Sequence, residues 1–236
     1  SVTAYVSDAK TKYTKINSNS RAISGIYEGK EYGEIWGFET DRFFTADDFE
    51  TAPDGKLVLK EGIPSQSYYE TNGWFFYGPG DIKYKDLDGD GKITPGDNTV
   101  ENPGDQKRIG NSTPRYNFGL NLDAAWKGFD LKVFFQGTLK RDAWVANSVF
   151  YGPSQNKWQA MVFKDHMDFW RPEGDPLGEN LDAYYPRADW NGGKNFQRST
   201  HYLQDASYVR LKNVTIGYTL PQEITRKFFV ENLRVF

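Results

Sequence analysis

The sequence predicts an all-β fold of antiparallel strands. Two segments alternate strictly between apolar and polar residues, the pattern of a strand with two unlike faces. In the first, Tyr116, Phe118, Leu120, Leu122, Ala124 and Trp126 take every second position, with Asn117, Gly119, Asn121, Asp123 and Ala125 between them. In the second, Val214, Ile216, Tyr218 and Leu220 alternate with Asn213, Thr215, Gly217 and Thr219. The third observation is compositional. Aromatic residues make up 17% of the chain, yet the mean hydropathy is strongly negative. Helical membrane proteins are not built this way. Membrane β-barrels are, because each strand alternates lipid-facing apolar with lumen-facing polar residues. Extracellular sugar-binding β-domains share the composition, which leaves both open.

Residues 1–77 read as strands and loop. Val2 to Val6 forms one strand, and Ile23 to Tyr27 a second that runs into a Glu28-Gly29-Lys30 turn. Tyr32 to Thr40 forms a third, with apolar residues at 32, 36 and 38. Residues 45–72 are loop with one helical turn near Thr45-Ala46-Asp47-Asp48. Residues 78–114 are rich in Gly, Pro and Asp, as in a loop held by turns or a metal. Residues 115–139 form a hairpin around Lys127-Gly128. Its arms are about ten residues long, the length a tilted strand needs to cross a bilayer.

Residues 140–205 are irregular and carry Trp144, Trp158, Trp170, Trp190 and the pair Tyr184-Tyr185, with a short helix expected over Lys157 to Phe169. A connection this long points to function or to an extra layer of structure. Residues 206–236 form a second hairpin: a strand from Tyr208 to Leu220, a stop at Pro221, and Leu233-Arg234-Val235-Phe236 opening another strand in mid-pattern. The start lacks a charged region followed by an apolar one. Either the protein is cytoplasmic or its start has been removed. Removal from a longer protein is the expectation, because the last strand stops in mid-pattern, with a short C-terminal strand tucked into a sheet as the alternative. Long connections alternating with hairpins match barrels with short turns on one side and long loops on the other.

Several function classes are disfavoured. A net charge of −3 argues against nucleic acid, which requires a basic face. The absence of Cys removes disulfides, thiolate metal sites and cysteine nucleophiles. No run of about 18 apolar residues marks a membrane-spanning helix. The two histidines, His166 and His201, form no His-Glu-x-x-His pattern, and no Gly-x-Ser-x-Gly elbow occurs. Among 32 acids no spacing singles out a catalytic pair, so no enzyme is expected.

Two constellations suggest binding. Asp86-Leu87-Asp88-Gly89-Asp90-Gly91-Lys92-Ile93-Thr94-Pro95-Gly96-Asp97 fits an EF-hand-like calcium loop. Asp86, Asp88 and Asp90 take loop positions one, three and five. Lys92 supplies its carbonyl, Thr94 a direct or water-mediated ligand, and Asp97 stands where Glu is usual. A merely solvated Asp/Gly turn is the plain alternative, favoured by the lack of flanking amphipathic helices and by Pro95. Calcium, if bound, would rigidify a loop. In the second constellation, Trp144, Trp158, Tyr184 and Trp190 are candidates for stacking on sugar rings. The alternative is that these rings pack the segment's own core or form an interfacial girdle. Arg210 and Lys212 could meet an anionic ligand or simply end a solvated strand.

Several stretches resemble the SusC/RagA family of TonB-dependent transporters. They are Gly29-Lys30-Glu31-Tyr32-Gly33-Glu34-Ile35-Trp36-Gly37, Gly80-Asp81-Ile82-Lys83-Tyr84-Lys85-Asp86-Leu87-Asp88-Gly89-Asp90-Gly91, and Arg108-Ile109-Gly110-Asn111-Ser112-Thr113-Pro114-Arg115-Tyr116-Asn117-Phe118-Gly119. Further on, Trp126-Lys127-Gly128-Phe129-Asp130-Leu131, Phe134-Phe135-Gln136-Gly137 and residues 206–221 fit as well. The segments fall in the family's order. The resemblance implies late strands of a large, plugged outer-membrane β-barrel of the roughly 22-stranded type, with extracellular loops. It implies import of glycans or peptides with a SusD-like surface lipoprotein. It also implies coupling to the TonB complex through parts absent here, and contact with outer-membrane lipid. The alternative from another class is a soluble extracellular module that binds carbohydrate with calcium; a secreted hydrolase is a third.

Overall fold

The computed structural model describes residues 1–17, 20–70, 76–151, 162–188 and 192–236. In chain order the strands are β1 (Val2–Ser7), β2 (Glu34–Phe38), β3 (Thr40–Phe43), β4 (Phe49–Thr51), β5 (Leu57–Leu59), β6 (Ile82–Tyr84) and β7 (Gln106–Asn111). They continue with β8 (Arg115–Trp126), β9 (Phe129–Lys140), β10 (Asp142–Trp144), β11 (Leu203–Asp205), β12 (Tyr208–Thr219) and β13 (Arg234–Val235). The pairs named as strand partners are antiparallel. The chain forms two compact units. One holds Ser1–Thr11, Ser112–Asp142 and Asp205–Phe236; the other holds Lys12–Asn111 and Ala143–Gln204.

The first unit is a five-stranded sheet in the order β1-β8-β9-β12-β13. The hairpin β8–β9 turns at Lys127 and Gly128, with φ of 49° and 88°. Positive φ at both central residues suits the right-handed twist of the flanking strands. Residues opposite one another in the register share a face. Leu120 faces Phe135, Leu122 faces Val133, Ala124 faces Leu131 and Trp126 faces Phe129. Val2, Ala4 and Val6 extend this face onto β1, and Val214, Ile216 and Tyr218 extend it onto β12. The result is an apolar face running through the sheet. It is not covered: Val2 is 72%, Trp126 70% and Ile216 66% exposed.

β12 holds this face only because it is bulged. Its apolar residues sit at odd positions first, Val209 and Leu211, and at even ones from Val214 onward. Such a change of phase would turn half the strand over. The register shifts between Leu211, opposite Phe135, and Asn213, opposite Phe134. Lys212 is the inserted residue of a β-bulge, and both halves point the same way. The opposite face carries Asn117, Asn121, Asp130, Lys132, Gln136, Arg210 and Thr215, interrupted by the rings of Tyr5 and Phe134. Thr138 Oγ1 donates to Asn117 Oδ1 at 2.7 Å. Arg234 forks onto Asp130 at 2.9 and 2.5 Å. Gly217 makes room for this pair, since a Cβ there would lie 2.4 Å from Arg234 Nη2.

The second unit has short strands in pairs, β2–β7, β3–β6 and β4–β5. Segment 143–204 begins in β10 and ends in β11. One core gathers Phe38, Ile82, Tyr84, Ile93, Tyr151 and Tyr202; a smaller one gathers Phe44, Phe49 and Tyr77. With so little sheet, buried side chains complete the backbone pairing. Gln66 donates to Ile82 O at 2.9 Å and accepts from Tyr84 N at 2.6 Å, doing for β6 what a neighbouring strand would do. Asn195 Oδ1 accepts from Ile82 N at 2.8 Å.

Asp81, fully buried, ties together segments more than 100 residues apart in sequence. Its carboxylate accepts from Gly78 N at 2.8 Å and Asn195 Nδ2 at 2.8 Å. It also pairs with Arg187 at 2.8 Å and with the buried Lys194 ammonium at 2.9 Å.

The strand expected over Ile23 to Tyr27 is a turn instead. Gly25 N donates to Ala22 O at 3.0 Å, and Lys30 Nζ takes up the carbonyls of Ile23 and Gly25 at 2.9 and 2.5 Å. Ile23 and Tyr27 are buried anchors rather than one side of an alternating strand. Of the helix expected over 157–169, residues 157–161 lie outside the described residues, and Lys164–Met167 is one 3-10 turn.

Removing the Asp81 carboxylate takes a buried anion from beside the Lys194 ammonium and the Arg187 guanidinium and strands the N–H donors of Gly78 and Asn195. The expected cost of Asp81→Ala is about 3–5 kcal/mol. Denaturant unfolding followed by near-ultraviolet circular dichroism checks it, and loss below about 1 kcal/mol contradicts this account of the second unit.

Candidate functional site

The Asp-rich loop lies between β6 and β7. Gly89 and Gly91 take φ of 78° and 77°, which lets the backbone curl around the first carboxylate. Asp86 accepts from Gly89 N at 2.6 Å and from Gly91 N at 2.9 Å. Asp88 accepts from Asp90 N at 3.1 Å, and Asp90 from Lys92 N at 2.7 Å. Ser65 clamps the far side: Ser65 N donates to Gly91 O at 2.9 Å and Ile93 N to Ser65 O at 2.8 Å. Among the described residues no helix flanks the loop.

The carboxylates that converge are Asp86, Asp88 and Asp105, with one oxygen of each within 4.8 Å of the others. Asp105 was not foreseen. Its only sequence signal is the turn Pro103-Gly104 that delivers it. Asp105 is fully buried and bridges the loop, accepting from Leu87 N at 2.7 Å and Thr94 N at 2.8 Å. Burial pushes its carboxyl above the ordinary range; the two N–H donors oppose this, and the charges of Asp88 and Asp86 add to it. Of the other residues in the proposed ligand set, Asp90 caps Lys92 N, and Thr94 Oγ1 accepts from Gly96 N at 3.2 Å. Asp97 accepts from Asn102 Nδ2 at 3.0 Å.

Trp144 and Tyr184 pack against the larger core. The Trp144 ring meets Tyr202 edge-on at 6.3 Å and has the Arg198 guanidinium 5.7 Å from its centre. Tyr184 stacks on His201 at 5.3 Å, and its hydroxyl accepts from Gln204 Nε2 at 2.9 Å. Trp158 and Trp190 lie outside the described residues.

Ion pairs lock the edges of the short strands. Arg42 forks onto Asp48 at 2.6 and 2.7 Å, and Asp48 also accepts from Thr45 N at 2.8 Å. The Arg42 guanidinium holds the Asp48 carboxyl well below the usual carboxylate range. Glu39 pairs with Lys107 and Lys85, which hold its carboxyl down to about 2.

No family model matches the chain. It is similar to TonB-dependent receptors. TonB-dependent receptor P3 of Formosa agariphila is 26% identical over 211 residues, 89% of this chain and 17% of the receptor. TonB-dependent receptor P26 of the same organism is 28% identical over 160 residues, 66% of this chain and 14% of the receptor. The chain thus spans about a sixth of the length of these curated relatives. Among solved structures, the RagAB peptide importer in its closed-closed state matches with a TM-score of 0.57 and 18% identity, over 99% of this chain and 22% of that one. The SusC/RagA-like resemblance read from the sequence is borne out, and the all-β antiparallel fold with it.

Acid should loosen the second unit before the core is touched. Both carboxyls are depressed in the folded state, so their stabilisation is present above the unfolded values of 4.5 for Glu39 and 3.8 for Asp48. It is lost as pH falls through the folded value, about 2 for Glu39 and lower than ordinary for Asp48. Amide protection factors across residues 39–48, taken relative to intrinsic exchange at each pH, should therefore fall as pH drops below about 4.5. Protection that stays flat down to pH about 2 contradicts these ion pairs.

Proposed function

We propose that this chain belongs to a TonB-dependent outer-membrane importer of the SusC/RagA kind. It supplies late strands of the barrel together with outward-facing loops. The observation that carries the reading is the five-stranded sheet. One exposed face is apolar on neighbouring strands, the other is polar, and β8, β9 and β12 each have 12 residues. In water such a face is a liability. In a bilayer it is a requirement.

The full barrel, of the roughly 22-stranded type, closes by pairing the sheet's edges with strands outside this chain, because lipid offers no partner for a free edge. The importer takes up glycans or peptides and works with a SusD-like surface lipoprotein. The TonB complex engages parts of the protein outside this chain. Similarity to TonB-dependent receptors and to the fold of the RagAB peptide importer supports the reading. The role is transport rather than catalysis.

Substitution on the apolar face tests this directly. Val214 lies in mid-strand, opposite Val133. Val214→Arg in the full-length parent should cost about 2–4 kcal/mol if that position meets the bilayer midplane. At an exposed position in water the same change stays within about 0.5 kcal/mol. Urea unfolding from lipid vesicles reads the difference. Recovery of the native parent from a soluble or secreted fraction would instead favour a calcium-dependent carbohydrate module.

Calcium at the Asp-rich loop belongs to the same proposal. Asp86, Asp88 and Asp105 form a hard-oxygen donor set, and the buried Asp105 carboxylate is the group whose charge a cation would stabilise. The role is structural. Calcium at about 100 times its dissociation constant should stabilise the folded loop by about 2.7 kcal/mol. This is read as slowed amide exchange over residues 84–106 and abolished by Asp86→Asn with Asp88→Asn. Unchanged exchange on adding calcium would remove the metal from the proposal.

A further inference from the structure

The second unit also holds a cleft apart from the Asp-rich loop. Its volume is about 830 Å³, within the range of small-ligand sites. Phe43, Pro79, Trp170, Pro172 and Leu181 supply its apolar lining. Trp170 is fixed in place. Its backbone N–H donates to Tyr185 O at 2.9 Å, and its ring packs against Gly80. A Cβ at Gly80 would come within 2.3 Å of Trp170 Cε3. Gly80 has φ of +86° and is itself held by Gly80 N donating to Phe44 O at 2.8 Å.

The polar lining is one-sided. Asp47, Glu173, Glu179 and Asp182 are exposed in the cleft, and among the described residues none of them has an ion-pair partner. Asp41 adds a fifth carboxylate, 3.8 Å from Lys83. The cleft's own guanidinium, Arg42, is committed to Asp48. His201 lies with Nε2 2.6 Å from Tyr184 O, and burial lowers its pKa, so it adds no charge at neutral pH. An aromatic ring amid unpaired carboxylates attracts a cation twice, through the ring quadrupole and through Coulomb attraction. A divalent metal wants carboxylate oxygens that converge. The convergent group among the described residues is Asp86, Asp88 and Asp105, and none of the cleft's acids belongs to it. A neutral sugar would leave the charges unanswered, and an anionic one would be repelled.

We propose that this cleft is a binding subsite for a cationic side chain, the ammonium or guanidinium of a basic peptide segment. The charge sits by Trp170, inside the ring of carboxylates. This deepens the importer reading, on which it rests only for what the captured peptide is for.

The test is calorimetric titration of the full-length parent in detergent at low salt with three probes: pentalysine, pentaglutamate and maltohexaose. Pentalysine should bind, weaken as salt rises, and outcompete the other two. Glu173→Gln, Glu179→Gln and Asp182→Asn together should weaken pentalysine on the order of tenfold, from three exposed pairs of up to about 1 kcal/mol each. Trp170→Leu should weaken it further. Neutralising Glu28, Glu50 and Asp54, outside the cleft, should leave binding unchanged. Equal weakening by both triple variants would mean diffuse attraction to an acidic surface and would overturn the subsite, as would equal affinity for pentalysine and maltohexaose. These outcomes leave the importer reading standing, because that reading is decided separately by Val214→Arg and by the fraction in which the parent is found.

Discussion

The sheet of the first unit depends on one constraint: every residue of a strand must pair its backbone sideways while its side chain keeps to one of two faces. A single slip of register would send the apolar residues of one strand to the polar side. Two local devices prevent this. The Lys127-Gly128 turn fixes the offset between β8 and β9, so that Trp126 meets Phe129 and Leu122 meets Val133. The bulge at Lys212 absorbs the change of phase between Leu211 and Val214. Antiparallel order then puts Ser7, Arg115, Lys140 and Tyr208 at the strand ends away from that turn.

The second unit answers the same backbone demand by other means. Its strands are too short to satisfy one another, and its apolar content is largely aromatic. Buried polar side chains do the pairing instead. Gln66 spans Ile82 and Tyr84, Asp105 spans Leu87 and Thr94, and Asp81 gathers Arg187, Lys194 and Asn195. Low local dielectric makes such groups costly when unpaired and strongly specifying when paired. A loop-rich body gains a defined shape this way without a large sheet.

This contrast explains what was legible in the sequence. Alternation is a property of single residues in order, so β8 could be read directly from Tyr116 to Trp126, and Val2 to Val6 likewise. The bulge at Lys212 was hidden because Val209 and Leu211 look out of step until the partner strand is known. Ile23 to Tyr27 passed for a strand because buried anchors in a turn can mimic its composition. The Asp-rich loop was visible through its spacing, yet the carboxylate that completes the convergent group is Asp105, outside the motif. Long-range partners such as Asp81 with Arg187 leave no local trace at all. The acidic cleft was missed for the same reason: its charges come from residues 41–47 and 173–182, two segments distant in sequence.

The division of labour between the two units follows from these physical demands. In a strand with one apolar face, only every second residue remains for polar chemistry, and a two-residue turn offers almost none. Recognition of a ligand needs several groups converging from different directions. The insertions supply this, since loops carry side chains through space without the period of a strand. They must still satisfy their own backbone, and the polar hubs that do so also fix neighbouring side chains in position. Gly80 illustrates the coupling. It turns the chain between Gly78 and Asp81 with a positive φ, and the same missing Cβ lets the Trp170 ring pack close and line the cleft. The geometry that closes the fold at this point is the geometry that opens a binding surface.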